Sequence, residues 1–363
     1  MVMKESRYYV PALDSLRFLA FILIFIHHNI PTHIMLFDRL KHIGWIGVDI
    51  FFCLSAFLLT RLLTREINQN STINIKHFFI RRLLRIWPLY FTYIIIAIAF
   101  SIYTGITNDN WFRTIGLLSF TENIFAAFCQ YNPIWFTGHL WTISYEEQFY
   151  LILPFLIPLL VRVTKAKRNG LLFAIFCAGS LCRIILIYCK VKQPAIWVLP
   201  ITHFESILAG IFLAFISPSD KNRKNLSLYS FIIGALIFCI ILYLPDTGVT
   251  GYHLMLLYPC IGITTGCIVV AAITNKNNFV RSVLTNSIFV FLGKISFGLY
   301  VLHIASINMV DYILRQFDIA MPILTTIISF MVTIILSVLS YLLLETRFLK
   351  MKENFTAIAS RPV

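Results

Sequence analysis

The sequence predicts an all-α polytopic membrane protein with about ten transmembrane helices and both termini cytoplasmic. Composition is the first reason. Hydrophobic residues make up 59% of the 363 and charged residues only 13%, and the mean hydropathy is +0.82, outside the range of soluble domains. Second, apolar runs close to the roughly 20 residues that a spanning helix requires recur along the whole chain. Third, lysine and arginine crowd into alternate loops, as the positive-inside rule demands of a multi-pass protein.

In order, the apolar runs fall at about 13–30, 43–63, 86–104, 142–161, 170–189, 198–216, 227–244, 253–273, 288–308 and 319–344. They read as one membrane-embedded domain over 1–363, with a cytoplasmic tail from about 345. The cytoplasmic set of ends and loops includes Lys4, Arg7, Arg61, Arg65, Lys76, Arg81, Arg82, Arg85, Arg162, Lys165, Lys221, Lys276, Arg347 and Arg361, against Arg39, Lys41, Arg113, Lys190, Lys192 and Arg315 on the other side. This bias accounts for the formal net charge of +14. The basicity is therefore no nucleic-acid footprint, for which charge would cluster on one soluble face; the expected partner is the lipid bilayer, and no nucleic acid. Lys4 and Arg7 before the first run imitate a signal peptide, but that run is long, holds Arg17 and His28, and is followed by no small-x-small cleavage site. Seven of the eight cysteines sit in or beside apolar runs, and their spacing suggests neither a metal site nor a disulfide framework. The outer segment from about Gly105 to Leu140 carries Trp111, Phe112 and Trp135, and reads as a lid or as aromatic interface anchors.

Polar residues inside the runs carry the functional expectations. Arg17 and His28 stand eleven residues apart, about three turns and about 16 Å along a helix, so they share a face that cannot meet lipid. An arginine near mid-membrane costs at least about 2.5 kcal/mol on insertion scales, and such groups usually mark a pathway or a reaction site. Helical phase selects His28 over His27, and a neutral imidazole is the usual general base near neutral pH. Arg82 and Arg85 share a face at the start of the third run. They are either two guanidinium forks that converge on a phosphate or ordinary flanking charge. At the head of the fourth run, Glu146, Glu147 and Tyr150 place costly carboxylates beside a tyrosine. Ser296, Tyr300 and His303 form a polar stripe, either interhelical glue or part of a site. Arg183 and Glu205, isolated in their runs, either pair or approach an interface.

Leu13-Asp14-Ser15-Leu16-Arg17 with His28, Gly47 to Phe57, the Arg82/Arg85 segment, Ser144 to Tyr150 and Lys294 to His303 occur in this order over nearly the whole chain. Together they resemble the acyltransferase-3 family of integral membrane O-acyltransferases, of the O-antigen and exopolysaccharide acetylase type. Ser15 and Ala56 stand where that family usually has glycine, and Arg347 where proline is common. The resemblance implies transfer of an acyl group, commonly acetyl, from cytosolic acyl-CoA as co-substrate to a carbohydrate or lipid-linked glycan destined for the cell surface, at the inner (plasma) membrane. It carries the family's first-helix pair onto Arg17 and His28, its paired arginines onto Arg82 and Arg85 as acyl-CoA ligands, and its glutamate onto Glu146.

On that basis His28 is the expected base, Arg17 steadies the thioester, Glu146 orients His28 or the acceptor, and Glu147, Tyr150, Tyr300 and His303 are candidate substrate contacts. No metal is implied. Many relatives carry an extra esterase-like outer domain. Only about twenty residues follow the tenth run here, so transfer is expected to finish within the membrane or pass to a separate outer partner, with a homo-oligomer also compatible. The rival expectation is a secondary transporter for a sugar or anionic solute that uses the same polar residues; the lack of internal repeats argues against it.

Overall fold

The computed structural model describes residues 8–29, 34–105, 112–131, 134–216, 223–245, 247–275, 277–319 and 321–358. Lys4, Arg7, Trp111, Lys221, Lys276 and Arg361, used above, lie outside the described residues. Every regular element among the described residues is helical. Ten principal helices are α1 (Pro11–His28), α2 (Ile46–Asn70), α3 (Ile75–Thr104), α4 (Trp141–Arg162), α5 (Lys165–Tyr188), α6 (Glu205–Ala214), α7 (Arg223–Tyr243), α8 (Leu254–Thr274), α9 (Ser296–Gln316) and α10 (Pro322–Ser340). All but α4 and α6 are long and apolar enough to cross a membrane, eight in total among the described residues. The protein is an all-α, multi-pass membrane protein.

Helix ends follow local chemistry. Pro11 opens α1 at the first turn, where its missing N–H costs nothing. The Asn74 side chain caps α3 by accepting from His77 N at 3.0 Å, and Gly105 closes that helix at φ +68°.

Buried at the centre, α1 packs closely on its neighbours. A Cβ on Gly293 would lie 1.8 Å from the Asp14 carbonyl oxygen, and one on Gly47 would lie 2.4 Å from that of Ala20. Only glycine permits backbones to cross this closely, which is how membrane helices pack without a hydrophobic driving force.

Several expected boundaries differ. The third helix begins at Ile75, so Arg82 and Arg85 sit well inside it rather than at its mouth. In place of a sixth run over 198–216 there is a ten-residue helix, about 15 Å long and half the hydrocarbon thickness. The chain before it is irregular, and protein groups satisfy its backbone. Arg183 Nε donates to Thr202 O at 2.8 Å, Thr202 Oγ1 to Ile196 O at 2.9 Å, and His203 Nδ1 to Trp197 O at 3.0 Å. Irregular backbone at membrane depth survives only with such partners. The same region pairs Arg183 with Glu205, one of the two alternatives open for them.

The ninth run, expected over 288–308, divides into a helix Ser287–Lys294 and α9. The break follows the Gly293 crossing, and α9 runs on to Gln316. After α10 the helix continues through a π-helical turn, Tyr341–Glu345, into Thr346–Glu353, which packs against α3. The segment expected as a tail thus returns to the bundle and brings Lys352 into its interior.

Candidate active site

A cavity of about 190 Å³ opens within the bundle, with Tyr8 and Lys352 in its lining. Its walls come from α1, α2, α3, α4 and α9. Arg17, Arg82, Arg85 and Lys352 line it, with Glu146, Tyr150, Ser55, Thr142, Ser296 and Tyr300. Arg17 Nη1 donates to Asp14 Oδ1 at 3.2 Å, and Tyr9 OH donates to Asp14 Oδ2 at 2.9 Å, so the buried Asp14 holds that guanidinium in place. Arg85 Nη2 donates to Lys294 O at 3.3 Å. The Arg82 guanidinium lies over the Tyr150 ring at 5.9 Å, and its Nε is buried with no hydrogen-bond partner among the described residues. Arg81, one position away, turns from the cavity to Glu66 at 3.2 Å and to Phe355 O at 2.7 Å.

Glu146 sits beside Ser55 and Tyr150, within electrostatic reach of Arg17 and Arg82. Its carboxyl lies among the cationic side chains and makes no hydrogen bond to His28 among the described residues. Glu147 lies outside the cavity lining; its Oε1 is buried without a hydrogen-bond partner among the described residues.

The deep wall of the cavity is a hydrogen-bonded tyrosine. Tyr300 OH donates to His139 O at 2.9 Å and lies 2.6 Å from Thr142 Oγ1. Neither His28 nor His303 lines the cavity. They meet behind that wall, with His303 Nε2 3.1 Å from His28 Nδ1 and ring centroids 5.0 Å apart. The His139 ring lies 4.9 Å from that of His303 and 5.3 Å from that of Tyr300. His139 and His303 therefore adjoin the chamber wall at Tyr300, and His28 reaches it only through His303.

The described residues of the segment after α3 are pinned to the bundle. Its two short helices, Arg113–Leu118 and Glu122–Cys129, are joined by a buried Arg113–Glu122 ion pair. Burial pushes the Glu122 carboxyl up from its usual range, and the Arg113 guanidinium pulls it back. Gln148 Nε2 donates to Asn123 Oδ1 at 2.8 Å and to Phe120 O at 3.0 Å, which ties this segment to α4.

Sequence reasoning missed Lys352 and His139. His139 stood two residues before Trp141 at the head of a carboxylate-bearing helix, a signal that could have been used. Lys352 gave none, because nothing local predicts that the last helix folds back.

An all-α membrane bundle with a cationic internal chamber defines the class. The Acyltransferase domain family, Acyl_transf_3, matches residues 10–342. The chain belongs to this acyltransferase-3 family. A protein of Staphylococcus aureus (strain COL), provisionally named an O-acetyltransferase, is 28% identical over an alignment of 391 residues that covers 99% of this chain and 60% of the relative. The peptidoglycan O-acetyltransferase OatA of Listeria monocytogenes serovar 1/2a is 28% identical over 372 residues, 94% of this chain and 56% of the relative. The O-acetyltransferase OatA of Staphylococcus aureus (strain NCTC 8325 / PS 47) is 26% identical over 386 residues, 98% of this chain and 59% of the relative. The chain thus spans about 60% of the length of the curated relatives it matches. No solved structure matches it.

Proposed function

We propose that this protein moves an acyl group, acetyl in the simplest case, from cytosolic acyl-CoA to a hydroxyl of a cell-envelope glycan. The observation that carries the reading is the convergence of Arg17, Arg82, Arg85 and Lys352 in one chamber whose Tyr300 wall packs against His303, the partner of His28. Guanidinium forks suit phosphate oxygens, and the unpartnered Arg82 Nε is the kind of buried donor that an anion would satisfy. The positive-inside bias supports a cytoplasmic position for the chamber's end of the bundle and for both chain ends, with the plasma membrane as the proposed location.

In this reading Arg82, Arg85 and Lys352 hold the phosphates of coenzyme A, and the pantetheine arm points inward past Arg17. The acyl end passes the Tyr300–Thr142 wall to reach His28, so opening of that hydrogen bond belongs to the cycle. His28 takes the proton of an acceptor hydroxyl that enters from the far side. The hydroxyl oxygen attacks the thioester carbon, the carbon–sulfur bond breaks, and the proton leaves on the coenzyme A thiol. Arg17 steadies the developing oxyanion, a contribution of several kcal/mol when the donor is preorganised. Glu146 keeps Arg17 and Arg82 in position. Holding both substrates in line removes much of the entropic barrier.

O-antigen, exopolysaccharide and peptidoglycan sugars all present suitable hydroxyls; the Listeria relative is named for the last. Mass spectrometry of envelope glycans from a strain lacking this gene tests the reading. A lost acetyl increment, restored by the wild-type gene and not by His28→Ala, supports it, and an unchanged glycan profile overturns it.

A further inference from the structure

We infer that His303 is the positioning residue of His28: it fixes the imidazole tautomer so that His28 Nε2 presents the lone pair. The inference rests on acyl transfer with His28 as base and adds how that base is held. Backbone carbonyls decide it, because a carbonyl only accepts. His303 Nδ1 lies 2.5 Å from Tyr300 O, so Nδ1 carries the proton and donates. In the neutral ring, Nε2 of His303 is then the lone-pair nitrogen. That atom faces His28 Nδ1 at 3.1 Å, and His28 Nδ1 also faces Ile24 O at 3.1 Å. Both partners of His28 Nδ1 are acceptors, so Nδ1 bears the proton and donates to the pair. The remaining nitrogen, Nε2, is left free to accept a proton.

The orienting ring is itself held. His303 is 0% exposed. The Phe21 ring meets it edge-on at 6.0 Å between centroids, and the His139 ring at 4.9 Å. His139 in turn donates from Nε2 to Val301 O at 3.1 Å. When His28 Nε2 takes the hydroxyl proton, the His303 lone pair stabilises the imidazolium through Nδ1–H, the part that a carboxylate plays in a Ser-His-Asp arrangement. A second histidine does this without placing a negative charge in the membrane interior, where an ionised carboxylate is costly.

Two measurements on the full-length protein in detergent or nanodiscs test this. In protein labelled with ¹⁵N at the histidine rings, the His28 resonances are identified by their loss in His28→Gln. They should show the proton on Nδ1 in the wild type and a mixture of tautomers in His303→Ala. In steady-state assays, His303→Ala should lower kcat by at least about 10- to 100-fold, the loss seen when the outer partner of a metal-bound histidine is removed, with the KM for acyl-CoA unchanged. His303→Gln, whose amide oxygen can accept from His28 Nδ1–H, should recover much of kcat. A wild-type His28 with its proton on Nε2, or a His303→Ala enzyme with unaltered kcat, overturns the inference. An Nδ1–H tautomer in a wild-type protein that never releases coenzyme A overturns the acyl-transfer reading and supports the tautomer assignment alone.

Discussion

His303 Nε2 lies 3.1 Å from His28 Nδ1, although 275 residues separate them in the chain. This contact ties α1 to α9 directly behind the wall that Tyr300 and Thr142 build, and it relates the cationic chamber to the proposed base.

Replacing His28 by alanine should abolish acyl transfer while the protein still inserts and folds, because the ring contributes chemistry rather than core. The check is incorporation of radiolabelled acyl groups by membranes that contain equal amounts of each protein. Incorporation at the wild-type rate would remove His28 from the mechanism.

The chamber cations should act on affinity. Arg82→Ala deletes charge-assisted hydrogen bonds worth about 1.5–3 kcal/mol, so the KM for acyl-CoA should rise about 10- to 100-fold with a smaller effect on kcat. Lys352→Gln should move KM in the same direction by less, since a lysine offers a point charge rather than a fork. Titration of coenzyme A onto the purified variants would show both effects; equal affinity in all three proteins would disprove the clamp.

The buried Arg113–Glu122 pair should be structural. Arg113→Ala leaves an uncompensated carboxylate and should destabilise the fold by about 3–5 kcal/mol, whereas Arg113→Met combined with Glu122→Leu should cost far less. Limited proteolysis of the outer segment, with a fluorescence-monitored melt, would separate the two variants. Equal protease sensitivity would argue that the pair holds nothing in place.

Gly293→Ala tests the crossing at α1. The added methyl has no room at 1.8 Å from Asp14 O, and overpacking of this kind costs about 1–3 kcal/mol. A lowered Tm is expected, together with weaker acyl-CoA binding, because Asp14 carries Arg17. An unshifted melt would mean that the helices separate there without penalty.

Much of the fold is legible in the sequence because lipid imposes a single strong rule: long apolar runs become helices whose backbone satisfies itself. Eight helices meet that rule directly. Arg17, Glu146, Tyr150 and Tyr300 stand out as polar groups inside those runs, Arg82 and Arg85 as a pair just before one, and all six line one chamber. Hydropathy could not show the short α6, since irregular but well-partnered backbone looks apolar in a window average. Nor could it show the break before α9, which depends on a glycine crossing a helix nearly 280 residues away in sequence. The His28–His303 contact and the return of Lys352 are likewise tertiary, and no local periodicity encodes them. Of the two roles expected for Glu146, orienting His28 is not what its neighbours support, since it accompanies Arg17 and Arg82; helical phase fixes a face but not the depth at which another helix meets it, and a role toward the acceptor stays a proposal.

The most direct test is reconstitution in vesicles, with acyl-labelled coenzyme A thioester supplied on the side of the chamber and a soluble glycan acceptor on the other. Release of free coenzyme A matched by labelled glycan, lost in His28→Ala, is the expected result. Uptake of unmodified solute without coenzyme A release would contradict acyl transfer and favour a transporter.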